Sequence, residues 1–352
     1  EVNFEDLPTG DNIYGERTGL RRPQTHMGNT LLAPDYSIYE NKRFLKKMGG
    51  KVVRTVAMEL SRGCPYTCTF CCVPMQQHQH RTARSHYANF KGIDGSVLKQ
   101  KDPYHREKPI PHFIKEVKDT IEKYDINFIY FTDESFLSMS KERFEEFIKA
   151  YSEIKLPFFI ESRVETVKPG YAKALESVNC TGVAMGIESG SIALRKSLLS
   201  RMMPDETIIK GFKEFEKTNI RISANNIIGF PGETEKDFEA TIDIINDVKF
   251  DQSFSFIYSQ RPGTPASSLH DDVPMEIKKR RLAILQENIN KKSRAIAEEM
   301  VGNEYKVFVE RKLPLTIFGV GLALKKNNEV WSAMKEAKFE IASHGYRWID
   351  YQ

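Results

Sequence analysis

The chain has 352 residues, of which 40% are hydrophobic and 28% charged, and its 52 Lys and Arg against 48 Asp and Glu give a net charge of +4. This composition is ordinary for a globular protein, and the mildly basic charge permits a nucleic-acid substrate without arguing for one. No run of about 18 apolar residues occurs, which excludes a hydrophobic membrane span, and the polar N-terminus is not a signal peptide, so we expect a cytoplasmic protein.

Strands alternate with helices along most of the chain, after an irregular N-terminal extension over residues 1–50. The predicted strands are 53–60, 126–131, 156–162, 182–187, 220–230 and 254–259. The predicted helices are 113–124, 141–154, 171–178, 205–218 and 235–248. Such alternation predicts an α/β fold with a parallel sheet, namely a partial (β/α)6 TIM-like barrel over residues 51–272 whose chemistry lies at the carboxyl ends of the strands.

The pattern changes on both sides of this regular region. Residues 64–109 are polar and predict a long, helix-poor loop. Residues 273–300 predict one long amphipathic helix and residues 305–310 a single strand. We therefore expect three further parts beside the barrel, namely the extension over 1–50, a helix with the start of a β segment over 273–311, and a C-terminal segment over 312–352.

Four of the five cysteines fall within nine residues, which favours a metal site over a disulfide framework. Cys64, Cys68 and Cys71 have the spacing CxxxCxxC directly after the first strand. Three thiolates can each hold one iron of a cubane cluster and leave the fourth iron open to the amino and carboxyl groups of a methionine. A zinc site with Cys72 as a fourth ligand and a chance grouping of reduced core cysteines are the alternatives, and Cys180 is predicted to be buried.

The segment SRGCPYTCTFC (61–71) resembles the signature of the radical S-adenosylmethionine (SAM) superfamily, and the likeness extends from about residue 30 to about 310. The resemblance implies a [4Fe–4S] cluster on the three cysteines, SAM as cofactor and a 5′-deoxyadenosyl radical that abstracts hydrogen. It also implies a reductant such as flavodoxin or ferredoxin as partner. Phe70 matches the aromatic position beside the adenine of the cofactor, although it can equally serve to pack the loop.

Further cofactor contacts follow from the resemblance at the next two strand ends. In YFTDES (130–135) we expect Glu134 to bind the methionine ammonium, with Asp133 as the alternative. Either acid can instead cap the next helix. In IESRVET (160–166) Arg163 is expected to pair with the methionine carboxylate or to form a structural salt bridge.

The fourth and fifth strand ends resemble the ribose-binding and adenine-binding segments of the same superfamily. In GIESGS (186–191) Glu188 and Ser189 are the expected ribose contacts. In IIGFPGET (227–234) Ile228 and Gly229 are the expected adenine contacts, and Thr234 is a candidate helix cap.

Three parts of the chain resemble different families. Residues 30–190 resemble the cobalamin-linked branch of the superfamily, which makes cobalamin a candidate cofactor, although the cobalamin-binding domain that precedes the barrel in that branch is not expected here. Residues 220–310 resemble the tRNA methylthiotransferases and continue into the start of their TRAM domain, which makes tRNA a candidate substrate. Residues 313–352 resemble a fragment of an allantoinase-like polysaccharide deacetylase, with His344 at a metal-ligand position.

The sequence thus predicts a radical SAM enzyme, a transferase of methylthiotransferase type that acts on tRNA. Two alternatives remain, a cobalamin-linked methyltransferase that acts on a small molecule, and an inactive iron–sulfur fragment. The loop QQHQHRTARSH (76–86) and Arg261, after the sixth strand, are candidate substrate contacts, with a solvated loop as the plainer interpretation of 76–86.

Overall fold

The computed structural model describes residues 34–48, 51–79, 104–248, 252–299, 316–319, 332 and 340–343. The chain divides into two units, residues 1–293 and residues 294–352. The larger unit contains the sheet and helices that position the candidate site. In the smaller unit, the described strands β10 (Thr316–Gly319) and β11 (Glu340–Ser343) pair in parallel.

A seven-stranded sheet organises the larger unit, and six of its strands are parallel. The strands are β1 (Leu45–Met48), β2 (Lys51–Met58), β5 (Phe128–Phe131), β6 (Phe158–Arg163), β7 (Cys180–Glu188), β8 (Arg221–Ile228) and β9 (Gln252–Ile257). Their spatial order follows the chain order, and β1 pairs antiparallel with β2. Sequential parallel strands with helical crossovers give a curled half-barrel, which confirms the predicted partial (β/α)6 barrel and its six strands.

Helices connect the parallel strands, and a last, long helix follows β9. They are α1 (73–79), α2 (Ile110–Tyr124), α3 (Lys141–Tyr151), α4 (Tyr171–Ser177), α5 (Ile192–Ser197), α6 (Asp205–Lys213), α7 (Glu235–Asp247) and α8 (Met275–Glu299). The predicted cap at Thr234 is confirmed, because its hydroxyl accepts from Asp237 N at 3.2 Å while the Asp237 carboxylate accepts from Thr234 N at 2.9 Å. None of the described helices is long and apolar enough to cross a membrane.

The two faces of the sheet differ sharply in their side chains. On β7, Val183, Met185 and Ile187 are fully buried in the main core, which the helices cover. Because side chains alternate along a strand, Gly182, Ala184 and Gly186 face the opposite, concave side. Strand register aligns Arg163, Gly186, Asn225 and Phe254 across β6, β7, β8 and β9 on that concave side.

The described parts of the segment 64–109, residues 64–79 and 104–109, are less irregular than the sequence predicted. Residues 73–79 form α1, so the expectation of a helix-poor loop is wrong there, and residues 76–79 of the predicted loop 76–86 are helical. Strand β3 (Ser61–Arg62), just before the segment, pairs antiparallel with β4 (Arg106–Glu107), near its end. A two-residue ladder is too short to give a periodic pattern. The predicted strand 305–310 and His344 lie outside the described residues.

Candidate functional site

The three spaced cysteines lie on one loop at the carboxyl ends of the parallel strands. Cys64 and Cys68 are buried, Cys71 is half-buried, and all three are free thiols. Burial raises the pKa of Cys64 and raises that of Cys71 to about 11, and in both cases neighbouring cysteines contribute to the rise. The three thiols therefore lie within electrostatic reach of one another, and ligation would require each to release its proton.

Backbone contacts fix the start of this loop. Gly63 has φ +86°, and a Cβ there would lie 2.5 Å from Tyr104 O, so the position demands glycine. The Gln77 side chain of α1 donates to Cys64 O at 2.8 Å. Farther along, Ala266 N donates to Thr69 O at 2.9 Å, and the Thr69 hydroxyl donates to Leu198 O.

Asp133 ties the end of β5 to the residues that lead into the cysteine loop. Its buried carboxyl accepts from Leu60 N at 3.0 Å, from Ser61 N at 2.5 Å and from the Ser61 hydroxyl at 2.6 Å. These bonds occupy Asp133, whereas Glu134 is exposed and accepts from Gly63 N at 3.0 Å. Of the two acids proposed to bind the methionine ammonium, Glu134 is therefore the exposed one.

Asp133 leads to a testable pH dependence. Burial raises its pKa from the usual 3.8 to about 7, although its hydrogen bonds oppose that rise. Such a carboxyl binds its proton more tightly in the folded chain, so the free energy of unfolding should fall as pH rises from about 4 to about 7. We expect Asp133→Asn to flatten this slope in denaturant titrations across that range, and the exposed control Asp119→Asn to retain it. Equal slopes for all three proteins would contradict the prediction.

Arg163, the last residue of β6, contacts the cysteine loop directly. Its Nη1 donates to Cys68 Sγ at 2.6 Å, and its guanidinium lies 3.8 Å from the centroid of the Tyr66 ring. Its Nε donates to Glu165 at 2.8 Å. Sequence reasoning offered a cofactor contact or a salt bridge for this arginine, and the structure contains the salt bridge together with an unpredicted bond to a cysteine.

A second arginine, Arg201, links Glu165 to the end of β7. Arg201 donates to Glu165 at 3.1 Å, to Glu188 at 2.9 Å and to Gly186 O at 2.9 Å. Although burial opposes it, Arg201 and Arg163 hold the pKa of Glu165 below its usual value. Burial raises the pKa of Glu188, and Arg201 opposes the rise. A chain of alternating charges, Arg163, Glu165, Arg201 and Glu188, therefore leads from Cys68 to the end of β7.

The sequence analysis did not single out Arg201, whose side chain is only 2% exposed in the structure. It lies between two apolar pairs, in LLSRMM, where an arginine is an unusual choice unless a buried acid pairs with it. These apolar neighbours were the feature of the sequence that could have indicated a buried, paired arginine. Glu188 itself has φ +68°, a rare conformation for a non-glycine residue that aims its carboxylate back across Gly186 toward Arg201.

The remaining predicted contacts divide between the concave face and the core. Phe70 and Ile227 each pack against a small apolar cluster that contains Phe230 and Tyr258. The Ile228 side chain is instead fully buried in the main core, because strand alternation turns it to the helix side. Ser189 is buried and its hydroxyl accepts from Ser191 N at 3.2 Å.

Gly229 gives a second testable prediction. It has φ +71°, and a Cβ there would lie 2.8 Å from Lys278 Cδ on α8, closer than side chains approach. Gly170 has a similar φ of +86° with nothing within 4 Å. We expect Gly170→Ala to cost about 1 kcal/mol of unfolding free energy through its φ alone. Gly229→Ala should cost a further 1–3 kcal/mol or so through overpacking, and equal losses in urea unfolding would disprove the close contact.

The donor set has a definite chemical character. Within the described residues, no group of three or more His, Cys, Asp or Glu side chains is placed to hold a single metal ion. A cubane cluster makes a different demand, because each thiolate binds its own iron. Three neighbouring free thiols on one loop, with Arg163 already donating to one sulfur, fit that demand.

Comparisons with known proteins relate the chain to several relatives. Residues 58–245, more than half of the chain, match the family described as the radical SAM superfamily. The chain is 32% identical over 322 residues to a tRNA-2-methylthio-N(6)-dimethylallyladenosine synthase of Cellvibrio japonicus. The aligned region covers 87% of this chain and 65% of that protein. A protein of the same name from Coxiella burnetii is 48% identical over 128 residues, 35% of this chain and 28% of its own length. The chain thus spans less than two thirds of the length of these relatives.

One solved structure that resembles the chain is the radical S-adenosylmethionine methyltransferase TsrM from Kitasatospora setae with cobalamin and a [4Fe–4S] cluster bound. The two have a TM-score of 0.48 and 14% sequence identity. The superposition covers 61% of this chain and 39% of that chain.

Proposed function

This chain belongs to the radical SAM superfamily, whose members use SAM and a [4Fe–4S] cluster, and from that premise we propose that Cys64, Cys68 and Cys71 hold the cluster. The observation that carries the proposal is the position of the three free thiols at the carboxyl ends of the parallel strands, where Arg163 donates to Cys68. When bound, the cluster would supply an electron and SAM the 5′-deoxyadenosyl radical, so the cofactors would provide the most demanding chemistry.

In this proposal, side chains around the cysteine loop bind and orient the cluster and SAM. Arg163 donates a charged hydrogen bond to the sulfur of Cys68, and such a bond stabilises a thiolate more strongly than a thiol. Glu188 offers a carboxylate that can accept from ribose hydroxyls, and Arg201 holds it in place. Glu134 faces outward and can accept from a methionine ammonium. Phe70 and Ile227 contribute apolar surface that excludes water from the same edge.

For the substrate, we propose tRNA and a methylthio transfer. The support is the 32% identity to a tRNA-2-methylthio-N(6)-dimethylallyladenosine synthase over 87% of this chain. The likeness of residues 220–310 to the methylthiotransferases points to the same substrate. A cobalamin-linked methyl transfer is the second candidate, because residues 30–190 resemble that branch. Retention of added cobalamin after gel filtration, seen in the visible spectrum, would favour the second candidate.

The decisive experiment is anaerobic reconstitution with iron and sulfide, followed by reduction in the presence of SAM. We expect 5′-deoxyadenosine in the products, measured by liquid chromatography, and none when the reductant is omitted. With sulfide kept as the sulfur source and excess SAM to provide both the radical and the methyl group, addition of a tRNA that carries N(6)-dimethylallyladenosine should then give a product in which one C–H hydrogen is replaced by a methylthio group. A cluster that forms without SAM cleavage would contradict the radical function. Cleavage without any RNA product would contradict only the proposed substrate.

A further inference from the structure

The first two strands of the large sheet lie in a strongly basic part of the chain. Residues 41–54 contain six Lys and Arg and no Asp or Glu, although the whole chain has a net charge of only +4. They comprise the short helical turn Asn41–Phe44, β1 and the first half of β2. Arg43 and Lys47 are exposed, and no described acid pairs with either of them. This part of the surface therefore carries positive charge that the chain itself does not neutralise.

Apolar side chains are exposed beside these charges. Register places Leu45 opposite Arg54 and Lys47 opposite Val52, and Val56, farther along β2, is buried in the main core. Because side chains alternate along a strand, Leu45 and Val52 lie on the face of the sheet that helices cover elsewhere. Here that face is open, since Leu45 is 47% exposed and Val52 is 62% exposed. The β1–β2 pair thus combines free charge with an uncovered apolar face.

A cavity of about 340 Å³ opens between the segment before β1 and the end of α2. Tyr39, which is 50% exposed, lines it together with Phe44 and Tyr124, whose stacked rings have centroids 5.5 Å apart. The Arg54 guanidinium lies 5.4 Å from the centroid of the Phe44 ring and donates to Asn41 Oδ1 at 2.8 Å. The cavity therefore offers aromatic surface to one large side chain from outside.

Strand β1 lies at the edge of the seven-stranded sheet, and β2 is its neighbour there. No described residue hydrogen-bonds to the backbone on its other side, so that side is a template for a further strand. Lysines on an edge strand commonly prevent unwanted pairing. Antiparallel pairing of two copies of β1 would place Lys46 opposite Lys47 of the second copy, and like charges directly opposite are destabilising. The charges therefore disfavour a second copy of the chain and favour an acidic strand.

From these observations we propose that β1 binds an acidic, extended segment of a partner protein as an additional strand. The backbone of the segment hydrogen-bonds to the free edge, its carboxylates meet Lys46 and Lys47, and one large side chain enters the cavity beside Tyr39. In strand addition of this kind, main-chain bonds give affinity and side-chain pockets give specificity. RNA phosphates would also meet the lysines, but they would leave the exposed Leu45 and Val52 and the open strand edge unused. The surface contains no residue of the cysteine loop, so the proposal is independent of the radical chemistry.

The test uses the full chain and a short, fluorescein-labelled peptide of Glu and Val that carries one Phe. Anisotropy of the label measures binding. Three altered peptides separate the contributions. N-methyl groups on alternate backbone amides block strand pairing, Lys in place of Glu reverses the charge, and Ala in place of Phe removes the ring for the cavity.

Variants of the chain test the same surface from the other side. Val52→Ser removes exposed apolar surface, and Lys47→Glu reverses one charge. Their matched controls are Ile284→Ser and Lys236→Glu, which change exposed residues on α8 and α7.

We expect the parent chain and both controls to bind the unmodified peptide equally, and Val52→Ser and Lys47→Glu each to weaken binding about tenfold. The peptide with Ala should bind more weakly than the unmodified one, and the N-methylated and Lys peptides should not bind.

Equal binding of the N-methylated and unmodified peptides would reduce the interaction to attraction of charge and overturn the proposal. Absence of peptide binding overturns it as well, and binding of a labelled RNA stem-loop that is lost in Lys47→Glu would then assign the surface to RNA. A chain that sediments as a dimer and becomes a monomer in Val52→Ser would assign the surface to a second copy and also overturn the proposal. Each of these outcomes leaves the proposed radical function standing.

Discussion

Replacement of Cys64, Cys68 or Cys71 by Ala is expected to abolish formation of 5′-deoxyadenosine in the reconstituted chain. Each thiolate of a three-cysteine site binds its own iron, so loss of one leaves two irons without protein ligands. The cluster should then fail to assemble or be lost on desalting. The measurement pairs the iron and sulfide content of the protein with its 5′-deoxyadenosine yield, both under anaerobic conditions.

Cys72 supplies the control within the same loop. It adjoins Cys71, is half-buried and is also a free thiol, but it does not belong to the CxxxCxxC spacing. We expect Cys72→Ala to retain the cluster and the yield. The opposite result, in which Cys72→Ala loses the cluster and one of the other three variants retains it, would assign the cluster ligands differently.

The six parallel strands could be predicted from the sequence because each is a short apolar run between helical segments. Their register could not be predicted, and the register decides which face a residue occupies. In the run IIGF, both Ile227 and Ile228 are apolar, so the sequence gives no sign that Ile227 packs against the small cluster of Phe230 and Tyr258 while Ile228 is buried in the main core. A one-residue difference in register reverses that assignment.

The cysteines could be predicted from spacing alone, since their ligation depends on neighbours along the chain. The charges around them could not, because their partners are distant in sequence. Arg163 donates to a cysteine 95 residues earlier, and Arg201 donates to an acid 36 residues earlier. Such pairs follow from the order and twist of the strands, which a single sequence does not specify.

Loss of the Arg201 charge should destabilise the barrel strongly. Its side chain is 2% exposed and pairs with Glu165 and Glu188, whose side chains are 19% and 13% exposed. Arg201→Met keeps much of the apolar stem and removes the charge, which leaves Glu188 without its described ion-pair partner in a buried setting. Removal of one member of a buried ion pair costs about 3–5 kcal/mol. Denaturant unfolding of the apo chain at pH 7 measures the loss.

Two comparisons separate the loss of charge pairing from a loss of packing. Arg280→Met removes an arginine that is 54% exposed and pairs with Glu235, and exposed pairs contribute about 0–1 kcal/mol. Glu188→Gln in the Arg201→Met background removes the unpaired carboxylate and should restore about half of the lost stability, whereas a packing defect would persist. If Arg201→Met and Arg280→Met unfold alike, the charges between Cys68 and Glu188 do not stabilise the fold. Partial rescue by Gln would show that Arg201 stabilises the fold by pairing with an ionised Glu188 at the carboxyl end of β7, where the proposed ribose contact requires an acceptor.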